Sequence, residues 1–145
     1  MDTSRQSDDE RRRPMIGEIY MMEFEGDEHV QAGKRPGIVF QNNLGNEYSP
    51  NIIAIPLTSC LKKQHLPAHV VIHAEDAGLR RDSMALCENP VCVSKTRIGF
   101  YISTLNETDM KRVAKASVLA TSIIAFLDED ELIETWQKSR RLNRM

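Results

Sequence analysis

The chain has 145 residues, 41% of them hydrophobic and 28% charged, which predicts a single globular domain with its own core. Its formal net charge of −2 provides no overall basic field of the kind that marks many nucleic-acid-binding proteins. No apolar run is long enough for a membrane helix, no signal peptide is recognisable and the cysteines number only three, which together predict a cytoplasmic protein.

The first half of the chain is predicted to form three strands. Apolar runs predict strands at 16–24, 37–41 and 52–57, with a polar loop at 25–34. The second and third runs do not alternate with polar residues, so both of their faces should be buried. The stretch 42–50 is rich in Asn, Gly, Ser and Pro, which predicts a turn between them.

The next segments continue this pattern of short strands. Residues 58–67 predict a loop or a distorted hairpin, and Gly78 suits a turn that needs a left-handed conformation. Further apolar runs predict strands at 68–73 and 82–87, and one or two short strands within 92–97 and 99–103.

Two helices are predicted at the C-terminal end. Asn106 is a candidate N-cap, and apolar residues at helical spacing continue to Leu127, which predicts one substantial helix. Residues 128–144 begin acidic and end basic, in agreement with a helix dipole. A narrow apolar stripe that includes Trp136 predicts that this second helix docks on a partner chain or on its own domain.

The predicted elements define three parts of the chain. Residues 1–14 are densely charged and predict a disordered tail, residues 15–127 form the folded domain, and residues 128–145 form a helical C-terminal extension. Many short strands followed by helices predict a mainly β chain with α elements (α+β), built as a strongly bent β-barrel or split sheet.

A histidine pattern is the most obvious candidate for a metal site. His65, His69 and His73 recur every four residues, but Pro67 and a strand-like Val-Val-Ile run argue against a helix there. On a strand only His69 and His73 share a face, and no Cys or carboxylate near them in the sequence completes a ligand set. We predict neither a metal site nor a cofactor.

Arg35 and Thr58 are the more informative pair, since each lies at one end of a predicted buried strand. If the strands pair, both side chains reach the same rim and converge on one small anion. A guanidinium donates in a fork and stays charged, and a hydroxyl adds a second donor, so the anion can be an RNA phosphate attacked by its own 2′-OH. The alternative is that Arg35 pairs with an acid such as Glu28 and that Thr58 caps a strand end.

Several short motifs make the chain resemble the MazF/PemK-type toxins, the growth-inhibiting ribonucleases of toxin–antitoxin pairs, over residues 17–124. The motifs occur in the family's order, and together they are far more specific than any one of them. They read Gly17-Glu18-Ile19-Tyr20, Gly33-Lys34-Arg35-Pro36, Gln41-Asn42-Asn43-Leu44-Gly45-Asn46, Pro56-Leu57-Thr58-Ser59, Leu66-Pro67-Ala68-His69-Val70, Gly78-Leu79-Arg80-Arg81-Asp82-Ser83 and Lys95-Thr96-Arg97-Ile98-Gly99.

The resemblance implies an SH3-like, partly open β-barrel with a C-terminal helix, assembled as a homodimer. It also implies metal-independent, sequence-selective cleavage of single-stranded RNA, including messenger RNA, that leaves a 2′,3′-cyclic phosphate and a 5′-OH. The expected protein partner is a cognate antitoxin whose acidic or apolar tail occupies the RNA groove. A non-enzymatic toxin of the same fold that poisons DNA gyrase is the alternative, with Trp136 as its contact, and a catalytically silent binding barrel is a third.

The resemblance assigns roles to individual residues. Arg35 matches the family's catalytic arginine and Thr58 its catalytic threonine, whereas Val30 replaces the acid that the family usually carries before the arginine. The general base stays open between water, a carboxylate of the 25–34 loop and Arg35 itself. Secondary candidates for RNA contact are Gln31, Gln41, Asn43, Ser59, Lys62 and Lys63.

Overall fold

A computed structural model describes residues 13–25 and 33–143 of the chain, the last three by their backbone only. Most of the predicted tail and of the loop before Gly33 lies outside these residues. The described strands are β1 (Glu18–Phe24), β2 (Gly33–Val39), β3 (Asn51–Thr58), β4 (His69–Ile72), β5 (Ser83–Leu86), β6 (Val91–Ser94) and β7 (Ile98–Thr104). The described helices are α1 (Asn43–Tyr48), α2 (Ala74–Ala77), α3 (Glu107–Leu119) and α4 (Glu129–Asn143), with 3-10 turns at Lys95–Arg97 and Ile123–Phe126.

The strands form one antiparallel sheet in the order β4-β5-β3-β2-β1-β7, and β3 is its centre. One edge of β3 pairs with β2, and the other edge pairs first with β6 and then with β5. Among the described residues β4 and β7 end the path, so the sheet stays open. The predicted α+β class is confirmed, with strands in the body and helices at the C-terminal end.

The core consists of two apolar clusters on opposite faces of the sheet. Neighbouring residues of a strand belong to different clusters, as Ile38 and Val39 of β2 do, because strand side chains alternate. The first cluster includes Ile55 of β3 and is covered by Val113 and Ala116 of α3. The prediction that the second and third runs are buried on both faces is therefore confirmed for residues 37–39 and 54–57, whereas Ile53 is 41% exposed.

Two predicted boundaries in the first half were wrong. The predicted turn at 42–50 contains α1, because the side chain of Asn42 accepts a hydrogen bond from Gly45 N at 2.9 Å and caps a short helix. β2 begins at Gly33, four residues before the predicted start, since its ladder with β1 extends to the pair Phe24 and Gly33. Arg35 therefore lies inside the strand.

The predicted C-terminal helix was too long. Asn106 caps it as expected, accepting a hydrogen bond from Asp109 N at 2.7 Å, but α3 ends at Leu119. The apolar residues that continue the helical period, such as Ile124 and Phe126, are exposed and have no core to pack against. The side chain of Thr121 instead accepts a bond from Ile123 N, which favours a turn over further helix.

The second predicted helix is confirmed as α4. Its apolar stripe of Leu132, Ile133 and Trp136 is about half exposed, and Trp136 stacks with Arg140 at 4.7 Å. None of the helices in the described part of the chain has the length and apolar content to cross a membrane.

Candidate functional site

A groove of about 690 Å³ opens at the end of the sheet where β2 begins and β3 finishes. Strands β1, β2, β3 and β7 contribute to its lining, together with the turn that follows α2. Arg35, Thr58 and Ser59 all line this groove, so the structure brings three of the sequence candidates together. Arg35 and Thr58 are half-buried and Ser59 is exposed.

The register of β2 and β3 explains why Arg35 and Thr58 meet. Gly37 pairs with Pro56, and the same register continued by two residues sets Arg35 opposite Thr58. Phe40 N donates to Ile53 O, and the same alternation along β2 makes Pro36 a residue that would donate to β3; it has no N–H, so the hydrogen-bonded ladder ends before it reaches the pair. The two side chains consequently stand at an opening in the sheet, on backbone that is held on the other side by β1 and β5.

The Thr58 hydroxyl is oriented by its own backbone. Its Oγ1 atom accepts a hydrogen bond from the Cys60 N–H at 3.1 Å, the geometry of a short turn closed by a threonine side chain. Because the oxygen lone pair serves this bond, the hydroxyl keeps its hydrogen to donate to an oxygen in the groove. The predicted alternative, in which Thr58 caps a strand end, is thus compatible with a role in binding an anion.

The groove is strongly basic although the whole chain is slightly acidic. Its lining includes Lys34, Arg35, Arg80 and Arg81, and no acidic side chain is among the described residues that line it. Clustered cations in a concave surface concentrate an anionic ligand there, whatever the net charge of the molecule. The arrangement suits a chain of phosphates.

Arg80 and Arg81 were not among the sequence candidates. They follow Gly78, whose φ of 63° closes α2 in the predicted left-handed conformation. Leu79 N donates to Ala74 O at 3.1 Å, and Asp82 accepts a bond from Ala74 N at 2.8 Å, so both sides of the arginine pair are held to the same helix. The sequence signal was a pair of adjacent arginines directly after a glycine turn.

The other predicted contact residues do not line the groove, as far as the structure describes them. Gln31 lies outside the described residues, as do Glu28 and Val30. Gln41 lies beyond the far end of β2, where its Nε2 donates to Asn51 O at 3.1 Å, and Asn43 accepts from Ile16 N at 2.8 Å. Lys62 and Lys63 are exposed on the loop after β3.

The histidine series is separated in the structure. The ring of His69 contacts Glu88 Oε1 at 2.8 Å and Lys63 O at 2.9 Å, so this side chain ties the loop after β3 to the end of β5. No pattern in the sequence indicated that Glu88 would lie this close to His69. Within the ranges 13–25 and 33–143, no three side chains of the His, Cys, Asp and Glu types are grouped so as to hold a metal ion.

Comparison with known proteins identifies the family. A family model described as "PemK-like, MazF-like toxin of type II toxin-antitoxin system" matches residues 15–120. The chain belongs to this toxin family. The matched region of the toxin ends one residue after α3, so the 3-10 turn at Ile123–Phe126 and α4 lie beyond it.

Two curated relatives of the toxin carry enzyme names. It is 36% identical to endoribonuclease EndoA of Bacillus subtilis over 96 residues, which cover 66% of this chain and 83% of that protein. It is 33% identical to endoribonuclease MazF of Staphylococcus saprophyticus over 103 residues, covering 69% and 84%.

Solved structures give the same fold at lower identity. MazF of Deinococcus radiodurans superposes with a TM-score of 0.65 at 20% identity and covers 79% of this chain and 98% of its own. A mycobacterial endoribonuclease bound to its cognate antitoxin superposes with a TM-score of 0.62 at 20% identity, covering 74% and 93%. These likenesses support the partly open barrel.

Proposed function

We propose that this toxin is a sequence-selective endoribonuclease that cleaves single-stranded messenger RNA without a metal ion and so inhibits growth. The observation that carries the proposal is the register that sets Arg35 opposite Thr58 in a groove with four cationic side chains. The enzyme names of the two curated relatives support the same activity. Since messenger RNA is the substrate, the proposed place of action is the cytoplasm.

The reaction is a transesterification within the RNA. The 2′-oxygen forms a bond to the adjacent phosphorus, its proton passes to a base, and the bond from phosphorus to the 5′-oxygen breaks. The 5′-oxygen leaves with a proton, so the products end in a 2′,3′-cyclic phosphate and a 5′-OH. Arg35 donates to the nonbridging oxygens as negative charge builds on them and supplies a proton to the leaving oxygen, and it at once regains its proton and its charge from water. Thr58 holds the phosphate through its hydroxyl.

The same groove is the proposed site of control by a cognate antitoxin. Its cations and its apolar residues, including Leu79 and Ile102, suit a tail that carries both carboxylates and apolar side chains. An antitoxin tail and RNA then compete for one surface, and the tail folds as it binds. We also propose that the toxin is a homodimer, as the family resemblance implies.

The decisive test is cleavage of a long RNA in the presence of a chelator. We expect the parent to cut and Arg35→Ala to cut about a hundred- to a thousandfold more slowly, the usual loss when one preorganised donor to a developing oxyanion is removed. Thr58→Ala should lose a comparable factor. Arg13→Ala is the control, because Arg13 is exposed and pairs with Glu47 at 2.7 Å outside the groove.

Two results would contradict the proposal. Cutting by both groove variants at the parent's rate would remove Arg35 and Thr58 from the mechanism. Loss of the parent's activity on adding chelator would contradict cleavage without a metal ion. A supercoiling assay run alongside tests the gyrase alternative, which the endoribonuclease names of the two relatives do not support; inhibition of gyrase without RNA cleavage would favour it.

A further inference from the structure

The groove continues beyond the reaction centre into a second hollow. This hollow, of about 260 Å³, shares three lining residues with the groove: Met21, Lys34 and Phe100. On its far side it is lined by Thr96 and Arg97. The two concavities therefore form one track across β2, β1 and β7, and the three shared residues are the saddle between them.

Phe100 is unusual at this saddle because it is aromatic and 54% exposed. The residue before it explains its position: a Cβ added at Gly99 would lie 2.9 Å from Met21 O, so β7 approaches β1 more closely than a larger residue allows. Phe100 is the next residue of this closely packed stretch, and it lines both hollows together with Met21 and Lys34. An exposed aromatic residue and a cation, Phe100 and Lys34, thus line the path that leads away from Arg35.

An aromatic ring flanked by cations matches single-stranded nucleic acid in a way that it does not match an apolar protein surface. A single strand presents phosphates and unstacked bases in alternation, and each base can stack on an aromatic side chain whatever its identity. The cations Lys34 and Arg35 along the track supply partners for successive phosphates, and Arg97 lines the second hollow together with the acidic Glu23. Arg97 also pairs with the exposed Glu25, which holds it at the far hollow.

We propose that Phe100 is a base-stacking position of the toxin, for a nucleotide next to the one whose phosphate Arg35 holds, and that the strand runs on over Lys34 into the second hollow. This inference rests on the proposed function, since it assigns a further subsite to the same RNA. It makes Phe100 a substrate-binding residue outside the reaction centre.

The test uses an RNA that binds without being cut. The parent's cleavage site, read from the 5′ ends of its RNA fragments, defines a short RNA whose 2′-OH at that site is replaced by hydrogen, and fluorescence anisotropy gives its Kd. We expect Phe100→Ala and Phe100→Leu to raise the Kd roughly tenfold, the usual effect of losing one stacked base, and Phe100→Trp to bind like the parent. Phe126→Ala is the matched control, because Phe126 is 85% exposed and lies outside both hollows.

An abasic scan of the same RNA identifies the stacked nucleotide. Removing one base next to the cleavage site should raise the Kd for the parent about tenfold. The same removal should leave the Kd for Phe100→Ala unchanged, because this variant already lacks the stacking ring. Circular dichroism of each variant confirms that it folds, and Phe100→Leu keeps an apolar side chain at the strand if the alanine variant unfolds.

The possible failures are distinguishable. A parent that neither cuts nor binds RNA would refute the proposed function itself. A parent that cuts while Phe100→Ala and Phe100→Leu bind and cut as it does would refute the stacking position alone. If the two variants change the mass measured by light scattering and leave the Kd of the RNA unchanged, Phe100 is a contact between protein subunits and the inference is wrong.

Discussion

The charge of the groove predicts how RNA binding should respond to salt. Binding of a single strand that contacts Z cations weakens with a slope of about −0.7Z on a log–log plot, because condensed counterions are released. The four cations of the lining, Lys34, Arg35, Arg80 and Arg81, give a slope of about −2.8 if each contacts a phosphate. A fourfold rise in salt should then lower the association constant roughly 50-fold.

The variants test which side chains produce this slope. Arg80→Ala should reduce it to about −2.1, and Arg80→Ala with Arg81→Ala to about −1.4, so that the fourfold salt step costs only about sevenfold. The assay is anisotropy with the uncleavable RNA over a salt series. Lys111→Ala is the control, since Lys111 lies on the exposed face of α3 and pairs with Glu107. A parent slope near zero, or one that the double variant leaves unchanged, would show that the groove is not the RNA site.

Two further predictions concern stability. Burial raises the pKa of the Cys87 thiol from 9.0 to about 11, so the folded chain holds this proton more tightly than the unfolded chain. Titration of this thiol should therefore leave the free energy of unfolding unchanged below pH 9 and should lower it by about 2 to 3 kcal/mol as the pH rises from 9 to 11. Urea titrations over this pH range measure the decline. The same decline in Cys87→Ala, which lacks the thiol, would contradict the prediction. Gly99→Ala should lower the free energy of unfolding by about 1 to 2 kcal/mol, because the clash of the new Cβ with Met21 O outweighs the smaller gain from a stiffer unfolded chain. A higher urea midpoint for this variant would show that β7 can shift away from β1 without a loss of stability.

The sequence predicted the elements of the fold better than their limits. Apolar runs marked the strands of the body, most clearly the central β3, because a strand buried on two faces can carry little else. Periodicity failed after Leu119, where apolar residues continue at helical spacing but bury nothing. It also failed at Asn42, since the residue types that turn a chain are the ones that cap a helix.

The site was predictable to the extent that it depends on strand register. Arg35 and Thr58 could be paired from the ends of two apolar runs, because antiparallel neighbours bring such ends to one rim. Arg80, Arg81 and Phe100 could not, since they reach the groove through α2 and β7, whose positions follow from tertiary packing. Gln41 and Asn43 illustrate the opposite case: they are polar residues near a strand end whose hydrogen bonds serve the backbone.

The loop after β3 contains the ten residues between Thr58 and His69, where the chain rejoins the sheet. The backbone of Arg35 and Thr58 is held by strand pairing with β1 and β5. The loop after β3 is held mainly where the His69 ring contacts Lys63 O and Glu88. Changes in this loop beyond Cys60, whose N–H orients the Thr58 hydroxyl, should therefore leave the backbone under Arg35 and Thr58 in place. The loop after β3 is therefore the part of the toxin next to the groove where length and sequence can vary without changing the geometry of the pair.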